Sequence, residues 1–256
     1  MLHRRLMLLA ACLFSIATSA SAAVLSPFAD AYLHRATSAP FLADINWDDP
    51  YRSGYRYLRV GGNDNYNLVS LLRFDLTGVA PNAIISDGLL RLHGSSGSDV
   101  SDGVRYLFNP LLKDWDEKTV TWNSFAATAN GELDPASFDA AGWSQTVAAE
   151  PFTGSPFEIT IPKSMLIAWA TRPSENFGFL IRTDTPLSET LWYSKEVLSL
   201  AGISDVAEWA PTLSFNVNGV PEPSSGALLA CGFLGLLAAI RRRTSCRGST
   251  ETHLRL

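Results

Sequence analysis

From residue 28 to 217, short runs rich in β-branched and aromatic residues alternate with clusters of turn formers. The runs fall at 28–34, 55–60, 68–75, 84–93, 104–109, 119–122, 157–161, 177–182, 190–194 and 212–217. Gly61-Gly62-Asn63-Asp64, Thr77-Gly78, Gly94-Ser95-Ser96-Gly97 and Asn130-Gly131 stand between them. Such spacing predicts about ten strands, because β-branched and aromatic side chains fit a pleated surface and Gly, Asn and Asp close turns. Only 163–171 reads as helix, opened by Pro162 and stopped before Pro173. Ten strands without helical crossovers predict an antiparallel β-sandwich, and the size suits a jelly roll. The stretch 126–154 lacks periodicity and reads as a long excursion.

Alternation within two runs carries more detail. In 70–76, Leu72, Phe74 and Leu76 fall on one side, and Leu71, Arg73 and Asp75 on the other. In 89–93, Leu90 and Leu92 alternate with Leu89, Arg91 and His93. An arginine directed from such a mixed face calls for a carboxylate partner.

Both ends of the chain depart from this pattern. Residues 1–22 open with His3-Arg4-Arg5, continue through an apolar stretch from Leu6 to Ile16 and reach Ala20-Ser21-Ala22. That order matches a signal peptide, with a mature start near Ala23. At the other end Val220-Pro221-Glu222-Pro223 precedes an uncharged apolar run, 226–240, and then Arg241-Arg242-Arg243. The prolines end the folded domain. The run, at about 15 residues, is shorter than the roughly 20 of a full membrane span. Its cationic stop nevertheless suits a single hydrophobic sorting helix whose arginine end stays in the cytoplasm. The chain therefore divides into a leader (1–22), one domain (23–219), a sorting segment (220–243) and a short cytoplasmic tail (244–256).

Charge narrows the partners. Between residues 23 and 220 there are 23 acidic and 13 basic residues, a net −10. That balance offers nothing to nucleic acid, which needs basic patches. Cys12 lies in the leader, and Cys231 and Cys246 lie beyond the domain. The domain thus has no disulfide despite an oxidising destination, and must hold itself by packing or a metal.

Specific phrases then become recognisable. The segment VPEPSSGALLACGFLGLLAAIRRR resembles the PEP-CTERM sorting signal of Gram-negative bacteria, although here the chain runs on from Thr244 to Leu256. The resemblance implies secretion by the general export pathway, transient anchoring in the inner membrane and recognition by an exosortase. The destination would be the cell surface or extracellular matrix. Across the domain an ordered series recurs: Ala29-Asp30-Ala31-Tyr32, Tyr57-Leu58-Arg59-Val60, Leu71-Leu72-Arg73-Phe74-Asp75-Leu76 and Leu89-Leu90-Arg91-Leu92. It continues with the block from Trp115 to Asn123 (WDEKTVTWN), Asn176-Phe177-Gly178-Phe179-Leu180 and Ala210-Pro211-Thr212-Leu213. This series resembles the DNRLRE family of carbohydrate-binding-module-like domains, with Asn67-Leu68-Val69-Ser70 in place of its eponymous stretch. It implies a jelly roll that binds or organises exopolysaccharide, and it does not imply catalysis. A matrix or biofilm protein without a glycan pocket is the rival reading. A polysaccharide-degrading enzyme is a third.

Candidate chemistry follows. Sugar rings stack on flat exposed side chains, and Trp47, Tyr51, Trp143, Trp192 and Tyr193 are the stacking candidates. Trp115 and Trp122 read as core. Trp192 and Tyr193 are neighbours on one strand, so only one of them faces outward. Calcium is the only cofactor suggested. Asp44-x-Asn46-x-Asp48 begins like a calcium loop but has Asp49 at the glycine position and Tyr55 where a glutamate should stand. Scattered oxygens from Asp30, Asn63 and Asp64 are the alternative ligands. Asp114, Asp116 and Glu117 cluster before a strand and read as a solvated acidic turn rather than a hydrolytic pair.

Overall fold

Eleven strands carry the described part of the chain: β1 (Ala20–Leu25), β2 (Pro27–Ala36), β3 (Tyr57–Asn63), β4 (Tyr66–Phe74), β5 (Gly88–Leu92) and β6 (Val104–Pro110) lead. Then come β7 (Trp143–Val147), β8 (Phe157–Ile161), β9 (Phe179–Thr183), β10 (Leu187–Tyr193) and β11 (Thr212–Asn218). Two α-helices are present among the described residues, α1 (Trp122–Phe125) and α2 (Lys163–Thr171). The computed structural model describes residues 20–47, 56–63, 65–95, 104–125, 127–128, 130–147, 156–184, 187–199 and 206–218. A compact unit spans Ser21–Val217. The expected leader cleavage region begins to be described at Ala20, where β1 starts. The sorting segment, with Pro221, Glu222, Pro223, Arg241, Arg242 and Arg243, lies outside the described residues. Among the described residues no helix is long and apolar enough to cross a membrane.

The strands form an all-β sandwich. A four-stranded sheet runs β1-β11-β5-β8; a seven-stranded sheet runs β10-β3-β4-β9-β6-β7, with β2 added on β4. Every pairing with a described register is antiparallel. Between the sheets, Leu58, Leu72, Phe74, Tyr106, Phe108, Phe179 and Trp192 from the larger meet Leu90, Leu92, Ile159, Ile161, Leu213 and Phe215 from the smaller. Each such side chain contributes about 1.5–3 kcal/mol on burial. Trp192 is wholly buried, stacked on Phe157 at 5.7 Å and tilted against Tyr106 at 5.1 Å. The Tyr106 hydroxyl meets Thr190 Oγ1 at 2.8 Å, and burial pushes its pKa up to about 12.

β4 is buried on both faces, which two-fold alternation alone does not announce. Leu72 and Phe74 enter the inter-sheet core. Val69 and Leu71 face a second cluster, where Ala31, Leu33 and Leu180 meet Leu111, Trp115, Val120, Trp122, Phe125 and Phe138. The segment 111–138 therefore covers the outer face of the larger sheet. β3 lies between β4 and β10, and Gly62 pairs with Asn67 on the one and Leu187 on the other. A Cβ on Gly62 would meet the Tyr66 carbonyl oxygen at 2.6 Å, and its φ of +149° strains other residues.

Two expectations change. The run 119–122 is a turn leading into α1 rather than a strand. Asp116 Oδ1 accepts from Lys118 N at 2.7 Å, and the Asp116 carbonyl accepts from Thr119 N and Val120 N. Thr121 Oγ1 then accepts from Ser124 N at 3.0 Å while Ser124 Oγ accepts from Thr121 N at 2.9 Å. This reciprocal cap outweighs the β-propensity of Thr and Val. The excursion 126–154 contains β7, paired with β6 from Phe108↔Trp143 to Val104↔Val147. The helix expected over 163–171 is present. Arg73 and Arg91 find their expected carboxylates, at 2.7 Å from Asp114 and 2.8 Å from Glu158.

Candidate functional site

A groove of about 500 Å³ lies between β7 and α2. Residues 165, 168, 169 and 172 share one helix face by their spacing, and Met165, Ala168, Trp169 and Arg172 line one wall. Asp139, Ala141, Gly142 and Trp143 line the other. That wall is fixed closely. A Cβ at Gly142 would strike the Phe108 carbonyl oxygen at 2.1 Å, so only glycine lets the turn approach β6. Asn109 Nδ2 donates to the Asp139 carbonyl at 2.9 Å, and Asn109 Oδ1 accepts from Arg182 at 3.0 Å.

Trp143 is half-buried. Its ring stacks on Phe108 with centroids 5.4 Å apart and lies edge-on to Phe179 at 5.7 Å. Trp169 stacks on the same Phe179 at 6.0 Å. The indole N–H of Trp143 meets no acceptor among the described residues. At the groove's rim Arg172 pairs with Glu175 at 2.7 Å, both side chains about 60% exposed (62% and 59%). An exposed pair of this kind is worth less than about 1 kcal/mol, so its groups can exchange partners cheaply. The groove thus joins a fixed flat ring to the carboxylates of Asp139 and Glu175 and a guanidinium.

The other stacking candidates are placed differently. Trp192 faces inward as core, so it cannot offer a platform; Tyr193 is its outward neighbour. Tyr193 lies between Tyr57 at 5.6 Å and Trp209 at 5.1 Å, a half-buried aromatic row. Trp47 is half-buried, stacked on Tyr32 at 5.4 Å and tilted to His34 at 5.5 Å. Burial and the Arg59 charge lower the His34 pKa. Tyr51 lies outside the described residues. Trp115 and Trp122 are buried, with their N–H groups donating to the carbonyls of Phe177 at 2.8 Å and Gly131 at 2.9 Å.

The proposed calcium ligands do not converge. Asp30 lies opposite Leu72 on β4, whereas Asn63 lies opposite Tyr66, six residues along the same strand. At a rise of about 3.3 Å per residue these are roughly 20 Å apart. Asp64 lies outside the described residues. Asp30 instead meets Glu117, Lys195 and Glu196. Its N–H donates to Glu117 Oε1 at 2.8 Å, and its Oδ2 accepts from Lys195 N at 2.8 Å. Lys195 Nζ bonds both Glu117 Oε1 and Glu196 Oε1. Burial, then the neighbouring Glu196, raises the Asp30 pKa well above the carboxylate range. Burial alone would lower Lys195, but Asp30, Glu117 and Glu196 outweigh it and hold the lysine charged. The consistent state is a charged Lys195 beside an Asp30 carboxyl drawn toward its neutral form.

Glu117 is therefore no solvated turn residue. Asp116 caps its own turn, and Asp114 pairs with Arg73. Asp44 and Asn46 also fasten this region: Asn123 Nδ2 donates to Asp44 at 2.7 Å, and Asn46 Nδ2 to the Glu117 carbonyl at 2.8 Å. Sequence reasoning missed Trp169, Arg172, Lys195 and Glu196. The spacing 165-168-169-172 could have exposed the first two; nothing local marks the others. Among known proteins, no family model and no curated protein matches the chain.

Proposed function

We propose that the chain is an exported surface or matrix protein whose jelly-roll-type sandwich binds exopolysaccharide through the groove between β7 and α2. The observation that carries this reading is Trp143, a half-buried ring fixed against Phe108 in a groove of about 500 Å³. That volume falls within the usual range of small-ligand sites. A sugar's C–H face stacks on such a ring while its hydroxyls donate to carboxylates such as Asp139 and Glu175. The leader, the sorting segment with its exosortase and the DNRLRE-like series supply the cellular context.

The test is retention on the producer's own exopolysaccharide and on a glycan array. Ala141→Arg would fill the exposed rim of the groove without touching the core. Retention by the unmodified chain, lost in Ala141→Arg at unchanged melting temperature, is the expected result. No retention on any polymer would favour a matrix protein without a glycan pocket. Retention unaffected by Ala141→Arg would move the site elsewhere.

A further inference from the structure

We propose that Asp30, Glu117 and Glu196 form a structural divalent-cation site, for which calcium is the best fit. Each offers one oxygen, and these oxygens all lie within 4.8 Å of one another. Calcium holds its ligands at about 2.3–2.6 Å, so opposed ligands stand about 4.6–5.2 Å apart. The three oxygens therefore fit within one calcium coordination sphere. Carboxylates without nitrogen or sulfur donors are the ligands of hard cations.

A second observation separates this cluster from an ordinary acidic patch. Asp30 is completely buried, and its Oδ1 has no hydrogen-bond donor among the described residues, while Oδ2 is held by Lys195 N. A buried carboxylate oxygen without a donor is costly unless a proton or a cation meets it. Charge points the same way. Three carboxylates against one ammonium leave two negative charges in excess, the amount a divalent ion supplies.

Position gives the ion a purpose. Asp30 is on β2, Glu117 is in the segment that covers the outer face, and Glu196 is in the 3-10 turn Lys195–Ser199 that follows β10. A cation would join three segments 79 or more residues apart where the domain has no cysteine to do so. Lys195 is a competing positive charge at the site, bonded to both Glu117 and Glu196.

The experiment uses the full chain, stripped with EDTA and titrated with calcium chloride, followed by thermal unfolding and calorimetry. At a hundredfold excess over the dissociation constant, calcium should raise the melting temperature by about 5–10 °C. Asp30→Asn keeps the oxygen that accepts from Lys195 N but removes the charge. It should abolish the calcium shift while leaving the metal-free melting temperature equal or higher. Lys195→Met should bind calcium about tenfold or more tightly, because a like charge a few ångströms away is gone. Two results overturn the proposal. They are no calcium shift in the unmodified chain, even where Lys195→Met responds because the lysine alone holds the site, and a shift that survives Asp30→Asn.

Discussion

The larger sheet is covered on its two faces by different means. Toward the smaller sheet, it packs Trp192, Tyr106, Phe108 and Phe179 against apolar strands, and the cohesion is shape and burial. On the outer face, a segment with little regular structure lies over Ala31, Val69 and Leu71, fastened by polar groups at its margin. Those fastenings are Asp30 with Glu117 and Lys195, Asn123 with Asp44, and Arg73 with Asp114. A strand of the opposing sheet brings its own ladder of hydrogen bonds. A covering loop does not, so its backbone and side chains must find partners one by one.

The largest effect that separates the two faces is expected from Trp192→Ala. Removing a fully buried indole from the inter-sheet core should cost about 3–5 kcal/mol, read as a lower urea midpoint at unchanged m-value. A loss below about 1 kcal/mol would mean that this core does not dominate.

Glu117→Ala in EDTA should cost about 1–3 kcal/mol, since it strips the acceptor from the buried Asp30 N–H and one partner from Lys195. Hydrogen exchange should then rise in 111–138 before it rises in β8 or β9. Uniform loosening would erase the contrast between the faces.

Glu158→Ala is the control for polar contacts in general. Its pair with Arg91 is nearly half exposed on both sides (45% and 47%), so the loss should stay below about 1 kcal/mol and shrink further in high salt.

The smallest effect is in pH. His34 and His93 have pKa values lowered chiefly by burial. The unfolded chain therefore takes up these protons first, so the histidine contribution to stability should be level above about pH 6.5 and fall as pH drops through that value. His34→Gln should flatten part of that slope; an unchanged slope would place the titration elsewhere.

Much of the sandwich was legible in the sequence because a strand is a local object. The runs that became β2, β4, β6, β8, β9 and β11 carry their own two-fold pattern or apolar density, and Pro162 and Pro173 bracket α2 without outside help. The run 119–122 misled because Thr121 and Ser124 could cap each other, a contact that competes with any strand built on Val120. β7 was missed since Trp143 to Val147 has too few apolar positions to stand out, and its partner, β6, lies more than thirty residues away.

The candidate sites were less legible for a stronger reason. Trp192 and Tyr193 are adjacent aromatics, and alternation fixed only that one must point outward. Which one does depends on which face of β10 meets Phe157. Asp30 could be named as a ligand from its own chemistry, but Asn63 and Asp64, 33 and 34 positions away, are suggested only by the oxygen chemistry of a turn. The true neighbours, Glu117 and Glu196, are 87 and 166 positions away.

By itself the sequence determined the all-β class, the acidity and the cysteine-free domain, because these follow from composition and short-range periodicity. It also determined that Arg73 and Arg91 would need carboxylates, since a charge on a half-covered face has few other stable surroundings. Only the tertiary structure decided that Leu71 and Leu72 are both buried and that Trp143 meets α2 across a groove. It alone brought Asp30, Glu117, Lys195 and Glu196 together. Each of these depends on which distant segments lie against a face, a choice made by the burial and hydrogen bonding of the whole chain.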